Sequence, residues 1–260
     1  MKETLFRPNS PSPFVPESKP RKLLAETANH LLIWNLEVNG LGNLERTQEL
    51  AEKGYKIILT PNHLSNADGP VIDRALRETG PKGFAENVVY IQGRKLDLNP
   101  INRYFTRSLK VIKIWPPSLK PTPEEEQLKK EMNEKAIVDA KKCFQVGYYL
   151  AVFFEGGRSY AGSLKQAERS PLQFFTLVDD ADTVALPVGV WGTEKAMPPH
   201  KIPRPTLKAN VSFGEPRNIS ALIRERNHLS GTIMRKQVVD IIMRKEIAPL
   251  LPPKYRGVYA

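Results

Sequence analysis

Seven consecutive residues at 148–154, Tyr-Tyr-Leu-Ala-Val-Phe-Phe, are apolar on both of the faces that a strand presents in alternation. A strand of this kind is buried on both sides, which calls for a sheet covered by helices and points to parallel pairing. Further runs read as strands: YKIILT at 55–60, NVVYIQG at 87–93, SLKVIKIW at 108–115, TVALPVGVW at 183–191 and ANVSFGE at 209–215. Between them fall helices. One is expected over 69–79, ended by Gly80 and Pro81. Another is expected over 123–146, where Thr122, Pro123 and Glu125 form a capping box with proline at the first position and Gly147 closes the element. Strands alternating with helices predict an α/β fold with a mostly parallel central sheet covered by helices.

Ahead of the first strand, residues 21–37 read as a helix, because Leu24, Ala28, Leu31 and Leu32 recur on one face. A Pro- and Ser-rich arm precedes it. The expected organisation is a flexible arm plus helix over 1–45 and one α/β domain over 46–260, within the size that one core supports. The G-x-G of VNGLGNL at 38–44 lacks the third glycine and the strand–helix setting of a dinucleotide fingerprint, so it reads as a turn.

The apolar runs fall far short of the roughly 18–20 residues of a spanning helix. The first residues carry no apolar core of a secretory signal. Cys143 is the one cysteine, which leaves no internal disulfide and fits a reducing compartment. The expectation is therefore a cytoplasmic protein. The formal net charge is +11, and from Lys201 onward twelve Lys and Arg stand against four Asp and Glu. Such a balance favours an anionic partner: a membrane surface, a phosphorylated substrate, an acidic carrier protein or a nucleic acid. Nucleic acid is disfavoured, since no interleaved aromatics and no recognition motif accompany the charge. The four histidines and the cysteine stand too far apart for a sequence-readable metal site.

Chemistry is suggested at two places. After the strand at 55–60 come His63 and Asp68. On one helix their side chains would point about 140° apart. They can pair only if the chain turns between them, and Asn62 to Ala67, small and polar, supply that turn. Asp68 then starts the next helix, where its carboxylate can fix the imidazole tautomer and leave the other nitrogen free as a base. A capping aspartate beside an unrelated loop histidine is the plainer alternative. The second place is FFEGGRSYAG at 153–162, a strand running into glycines and an arginine. Gly156 and Gly157 let backbone N–H groups approach an anion, and Arg158 can hold a phosphate bidentately. Both places follow strands, at the carboxyl ends where open α/β sheets bind ligands. Two near-misses overlap the second. As a P-loop it has Ser163 where the lysine belongs. As a nucleophile elbow around Ser159 it has alanine for the last glycine, with Asp180 or Asp182 and then His200 or His228 in hydrolase order.

Taken together, these pieces resemble the glycerolipid acyltransferase superfamily, which includes glycerol-3-phosphate and lysophosphatidate acyltransferases. The likeness runs from about 38–44 to 211–216. His63 and Asp68 match its catalytic H-x₄-D motif. Glu155, Gly156, Gly157, Arg158 and Ser159 match its E-G-[TG]-R-S motif, whose arginine binds the acceptor's phosphate, and Pro187 in ALPVGV matches a later motif lining the acyl channel. The family's middle basic residue has no clear counterpart in RYFTRSLKVIKIWPP, where Arg107 and Lys113 are the candidates. Gly157 stands where lysophosphatidate enzymes commonly have threonine, which leans towards glycerol 3-phosphate.

What the resemblance implies is an acyltransferase domain over 46–260 that moves a fatty acyl group from acyl-ACP or acyl-CoA to a glycerophosphate hydroxyl. His63 is the base, and no cofactor is required. The donor, acyl carrier protein or acyl-CoA, and a glycerophosphate acceptor are the expected partners. Peripheral association with an anionic membrane at its inner surface is a further expectation. A basic helix at 230–251, which Ser230 can cap and whose Met234, Val238, Ile241 and Ile242 share a side, suits it, while a core-packing helix with a solvated basic face is the plainer alternative. A serine hydrolase using Ser159 and a non-catalytic module for anionic surfaces are the alternatives.

Overall fold

In the computed structural model, residues 19–117, 119–168, 170–177, 183–198, 203–226, 228–229 and 231–260 are described. Ser230, Asp180, Asp182 and His200 lie outside them.

Side chains alternate across a strand, and here the alternation divides the apolar residues between two cores. Ile57 and Leu59 enter one cluster and Ile58 the other. Tyr149 and Ala151 likewise face one side of the sheet while Leu150 and Val152 face the opposite one. A strand set this way must be sandwiched. The sheet contains β1 (Ile33–Asn39), β2 (Lys56–Pro61), β3 (Val88–Gly93), β4 (Lys110–Ile114), β5 (Tyr149–Ala151), β6 (Thr183–Trp191), β7 (Thr206–Phe213) and β8 (Arg217–Asn218). Its order is β1-β7-β6-β2-β5-β3-β4, with β8 against β6. Strands β6, β2, β5, β3 and β4 are mutually parallel. β7 runs antiparallel to β6 and parallel to β1. The expected α/β architecture with a mostly parallel sheet is what forms.

Helices α1 (Lys19–Leu32), α2 (Leu41–Glu52), α3 (Asp68–Thr79), α4 (Pro100–Phe105), α5 (Glu126–Gln145), α6 (Thr193–Ala196), α7 (Ile219–Arg224) and α8 (Gly231–Ile241) fill the connections. The capping box at Thr122 and Glu125 is present, although its first turn is a tight 3-10 turn and the α-helix begins at Glu126. α5 buries Ala136, Ala140, Cys143 and Phe144 against one core, and α3 covers the other with Val71, Ile72, Ala75 and Leu76. Full burial of a phenylalanine such as Phe144 contributes about 1.5–3 kcal/mol.

Three differences from the sequence reading have physical causes. The helix expected over 21–37 ends at Leu32, because Ile33–Asn39 pairs with β7 as an edge strand. A division at residue 45 therefore does not separate an extension from the sheet: β1 belongs to the sheet, and residue 45 falls inside α2. Helix α2 has only weak apolar periodicity, burying Leu44 and Thr47, and periodicity alone did not mark it. Gly40 before it has φ 80°, and a Cβ there would lie 2.0 Å from the Phe213 carbonyl oxygen, so the turn requires glycine. Beyond α8 the helix widens into a π-type turn over 242–247 and ends in a tight turn over 248–250, which holds Pro249. Val238 and Ile242 pack into the core while Arg235, Lys236, Arg244 and Lys245 stay exposed.

Candidate active site

Because β2, β3, β4, β5 and β6 are parallel, their carboxyl ends share one edge of the sheet, and five segments of distant sequence meet there. β2 ends at Pro61, and the chain turns before α3 begins at Asp68. Asn62 pins the start of that turn: its Nδ2 donates to the Val190 carbonyl at 2.9 Å and its Oδ1 accepts from the Val190 N–H at 2.7 Å. His63 follows. Its Nδ1 lies 2.9 Å from Asp68 Oδ2. The same carboxylate oxygen accepts from the backbone N–H groups of Leu64 at 2.7 Å and Ser65 at 2.8 Å. Asp68 is thus the buried anchor of the turn as well as the partner of the imidazole. The turn anticipated between the two residues is what lets them meet.

Phe153 packs on the imidazole, with ring centroids 4.4 Å apart. It belongs to the apolar run after β5, of which only 149–151 pairs as a strand. The rest leaves the sheet to form the glycine loop. Gly156 has φ 60°, and a Cβ there would press within 2.7 Å of the Glu168 side chain, so glycine is demanded. Gly157 is different: a Cβ would meet only Lys165 Nζ, at 3.8 Å. Of the two glycines, one serves the backbone and the other leaves room beside a cation.

Glu155 joins the two motifs. It is fully buried, and Oε1 accepts from the His63 N–H at 2.7 Å while Oε2 accepts from the Lys165 N–H at 3.0 Å. The Ser159 N–H returns a bond to the His63 carbonyl at 2.8 Å. Burial pushes the Glu155 carboxyl up to about 7, against the downward pull of the two N–H donors and Lys165.

A cleft of about 650 Å³ opens at this edge. His63, Asn66, Gly156, Gly157 and Arg158 line it, with Lys95 and Lys165 as further cations. Ile91, Ile114, Val152, Phe153 and Phe174 form apolar wall, and Asn99, Ile101 and Asn102 border it from the α4 side. A cleft with a histidine–aspartate pair, several cations and an apolar wall can bind a molecule that carries both an anion and a hydrocarbon chain, and can take a proton from it.

Several expected site residues fall elsewhere. Neither Arg107 nor Lys113 is part of the cleft wall. Arg107 precedes β4, at the amino edge of the sheet, and Lys113 alternates with the cleft-lining Ile114 and so faces away. Lys95, missed in the sequence, stands just past β3, where the carboxyl-end rule would have found it. Glu155 is a buried brace and not a wall residue. Pro187 lies within β6 opposite Thr60, its carbonyl accepting from the Gly214 N–H at 2.8 Å, and it does not reach the cleft. Ser159 is buried and absent from the wall, and it is its backbone N–H that meets the His63 turn. His228 is exposed and outside the cleft. Among the described residues no group of three or more His, Cys, Asp or Glu could hold a metal ion.

Comparison with known proteins adds to this geometry. A family model described as Acyltransferase matches residues 36–191. The chain is 27% identical over 186 residues to a chloroplastic glycerol-3-phosphate acyltransferase of Phaseolus vulgaris, covering 69% of this chain and 40% of that protein. It is 32% identical over 101 residues to the chloroplastic glycerol-3-phosphate acyltransferase of Spinacia oleracea, covering 37% of this chain and 21% of that protein. The chain thus spans about two fifths or less of the length of the curated relatives it matches. In fold it is similar to the crystal structure of the 1-acyl-sn-glycerophosphate (LPA) acyltransferase PlsC from Thermotoga maritima, with a TM-score of 0.53, 20% identity, and coverage of 86% of this chain and 76% of that one.

Proposed function

The chain belongs to the Acyltransferase family of glycerolipid acyltransferases, and on that premise we propose that it moves a fatty acyl group from an acyl thioester to a hydroxyl of a glycerophosphate. The observation that carries this reading is the 2.9 Å contact of His63 Nδ1 with buried Asp68, at the wall of a cleft that also holds Arg158, Lys95 and Lys165. With Nδ1 tied to the carboxylate, Nε2 is the nitrogen left to take the acceptor's proton. The acceptor hydroxyl oxygen attacks the thioester carbon, the C–S bond breaks, and the thiolate leaves with the proton that the imidazolium returns. General-base help of this kind contributes roughly 10²–10⁴ in rate. Arg158 and the neighbouring lysines hold the phosphate, so the hydroxyl arrives already oriented. Apolar residues such as Ile91, Ile114 and Phe174 offer the hydrocarbon chain a place out of water.

Glycerol 3-phosphate is the acceptor we favour, on the space left at Gly157 beside Lys165 and on the matched curated relatives. We further propose that the protein works on the cytoplasmic side of a membrane, attached peripherally. The net charge of +11 supports this, as do the exposed apolar side chains of Leu23, Leu24 and Leu31 on α1 and of Trp34. Among the described residues no helix is long and apolar enough to cross a bilayer. Co-sedimentation that ignored the anionic lipid content of vesicles would overturn the attachment.

The deciding experiment offers glycerol 3-phosphate and lysophosphatidate in parallel, each with acyl-carrier protein thioester and acyl-CoA, to the wild type and to His63→Ala. Product that vanishes in the variant, while acceptor binding survives, is the expected result and identifies donor and acceptor together. Full turnover in His63→Ala would overturn the mechanism.

A further inference from the structure

The His63–Asp68 pair has a third member that comes from another part of the chain. Asp68 is fully buried, and its two oxygens are treated unequally. Oδ2 receives His63 Nδ1 and the N–H groups of Leu64 and Ser65. Oδ1 receives a single hydrogen bond among the described residues, a short one donated by the Thr193 hydroxyl. The carboxylate plane of an aspartate turns about a broad, roughly two-fold torsion, so bonds to one oxygen alone leave its plane loosely set. A donor on the second oxygen removes that freedom.

Thr193 is itself held. It is fully buried at the start of α6, just past the carboxyl end of β6, so the same sheet edge that carries the other site segments delivers its hydroxyl to Asp68. Gly192 before it has φ 91°, and a Cβ there would fall 2.7 Å from the Lys208 carbonyl oxygen, which fixes the turn. The Gly192 N–H donates to Glu194 Oε2 at 2.9 Å, and Tyr255 Oη donates to Glu194 Oε1 at 2.9 Å. The Met197 N–H closes the short helix on the Thr193 carbonyl at 3.0 Å. A rigid strand end, braced by a tyrosine from the segment after α8, therefore aims one hydroxyl at one carboxylate oxygen.

We infer that Thr193 is a positioning residue for acyl transfer: by pinning Asp68 Oδ1 it sets the plane of the carboxylate, and through it the direction in which His63 Nε2 meets the acceptor hydroxyl. This rests on His63 being the base. Thr193 touches neither substrate nor reacting atoms, so its loss acts on kcat and leaves acceptor affinity alone. A misplacement of about 1 Å costs on the order of 10²-fold in rate.

The test compares Thr193→Val, which keeps the shape and removes the donor, with Thr193→Ser, which restores the donor, using the acceptor and donor that the wild type turns over. His63→Ala is run beside them. Expected is a fall in kcat of about ten- to a hundredfold for Thr193→Val with acceptor KM unchanged, and recovery to within about twofold in Thr193→Ser, since the hydroxyl alone is held to matter. A second readout needs no turnover: the His63 Nδ1 proton, protected by Asp68, should give a downfield NMR signal in the wild type and Thr193→Ser that broadens or vanishes in folded Thr193→Val. Wild-type kcat in Thr193→Val, or a fall that serine does not rescue, would overturn the inference. Turnover surviving in His63→Ala would instead sink the proposed mechanism.

Discussion

Replacing Glu155 by glutamine isolates what a buried carboxylate does between two motifs. In the folded protein its two oxygens accept separately from the His63 and Lys165 N–H groups, with no solvent contact. Burial raises its pKa from the ordinary 4.5 to about 7. Between those values the folded state holds a proton that the unfolded state has released, so stability falls as pH rises from 4.5 to 7 and is flat above. At about 1.4 kcal/mol per tenfold, the contribution lost across that window is about 3 kcal/mol. Glutamine has no proton to lose and stays neutral throughout. Against this, its amide nitrogen must face one of the two N–H donors, leaving a buried donor unsatisfied at about 1–3 kcal/mol. At low pH the variant should therefore equal or trail the wild type, and above pH 7 the gap should move in the variant's favour by about 3 kcal/mol. Urea unfolding of both proteins from pH 4.5 to 8 measures this directly. Activity should move the other way, because the histidine turn and the glycine loop lose a shared anchor: kcat should drop by about 10²-fold even where Glu155→Gln is the more stable protein. A stability difference that stays flat with pH would refute the burial argument. Undiminished kcat would refute the idea that Glu155 registers the two motifs.

Arg158→Ala should raise the acceptor KM by about ten- to a hundredfold, the worth of a charged hydrogen bond, with kcat much less affected, whereas Lys113→Ala should leave KM unchanged. Steady-state kinetics on both variants distinguish a cleft cation from a strand residue facing away. Gly257→Ala should destabilise the protein by more than about 2 kcal/mol, since Gly257 has φ 52° and the new Cβ would fall 2.0 Å from the Leu164 carbonyl oxygen. A thermal midpoint equal to the wild type's would contradict this.

The apolar runs were enough to announce a covered, mostly parallel sheet, because a strand buried on both faces has few other places to go. The turn between His63 and Asp68 was legible for a similar reason. A helix would have pointed the two side chains apart, and the residues between them are ones that turns accept. Arg158 was legible from its glycines. Each of these inferences depends on neighbours in the chain, and local geometry carries them.

What lay beyond sequence reading depends on partners far along the chain. The tail of the expected first helix became β1 because β7, some 170 residues later, offers it an edge. Glu155 looked like a binding residue until its two oxygens proved to be spent on the N–H groups of His63 and Lys165. Lys113 was a candidate only through the family resemblance, and the period of a strand turned it away from the cleft that Ile114 lines. Thr193 had no local signal at all, since its bond to Asp68 spans 125 residues. The sequence by itself determined the strands of the parallel core, where the chain turns between His63 and Asp68, and which residues can carry a proton or a charge. Only the tertiary structure decided which of them share one edge of the sheet, because strand order and parallel pairing are settled by the burial of two faces at once.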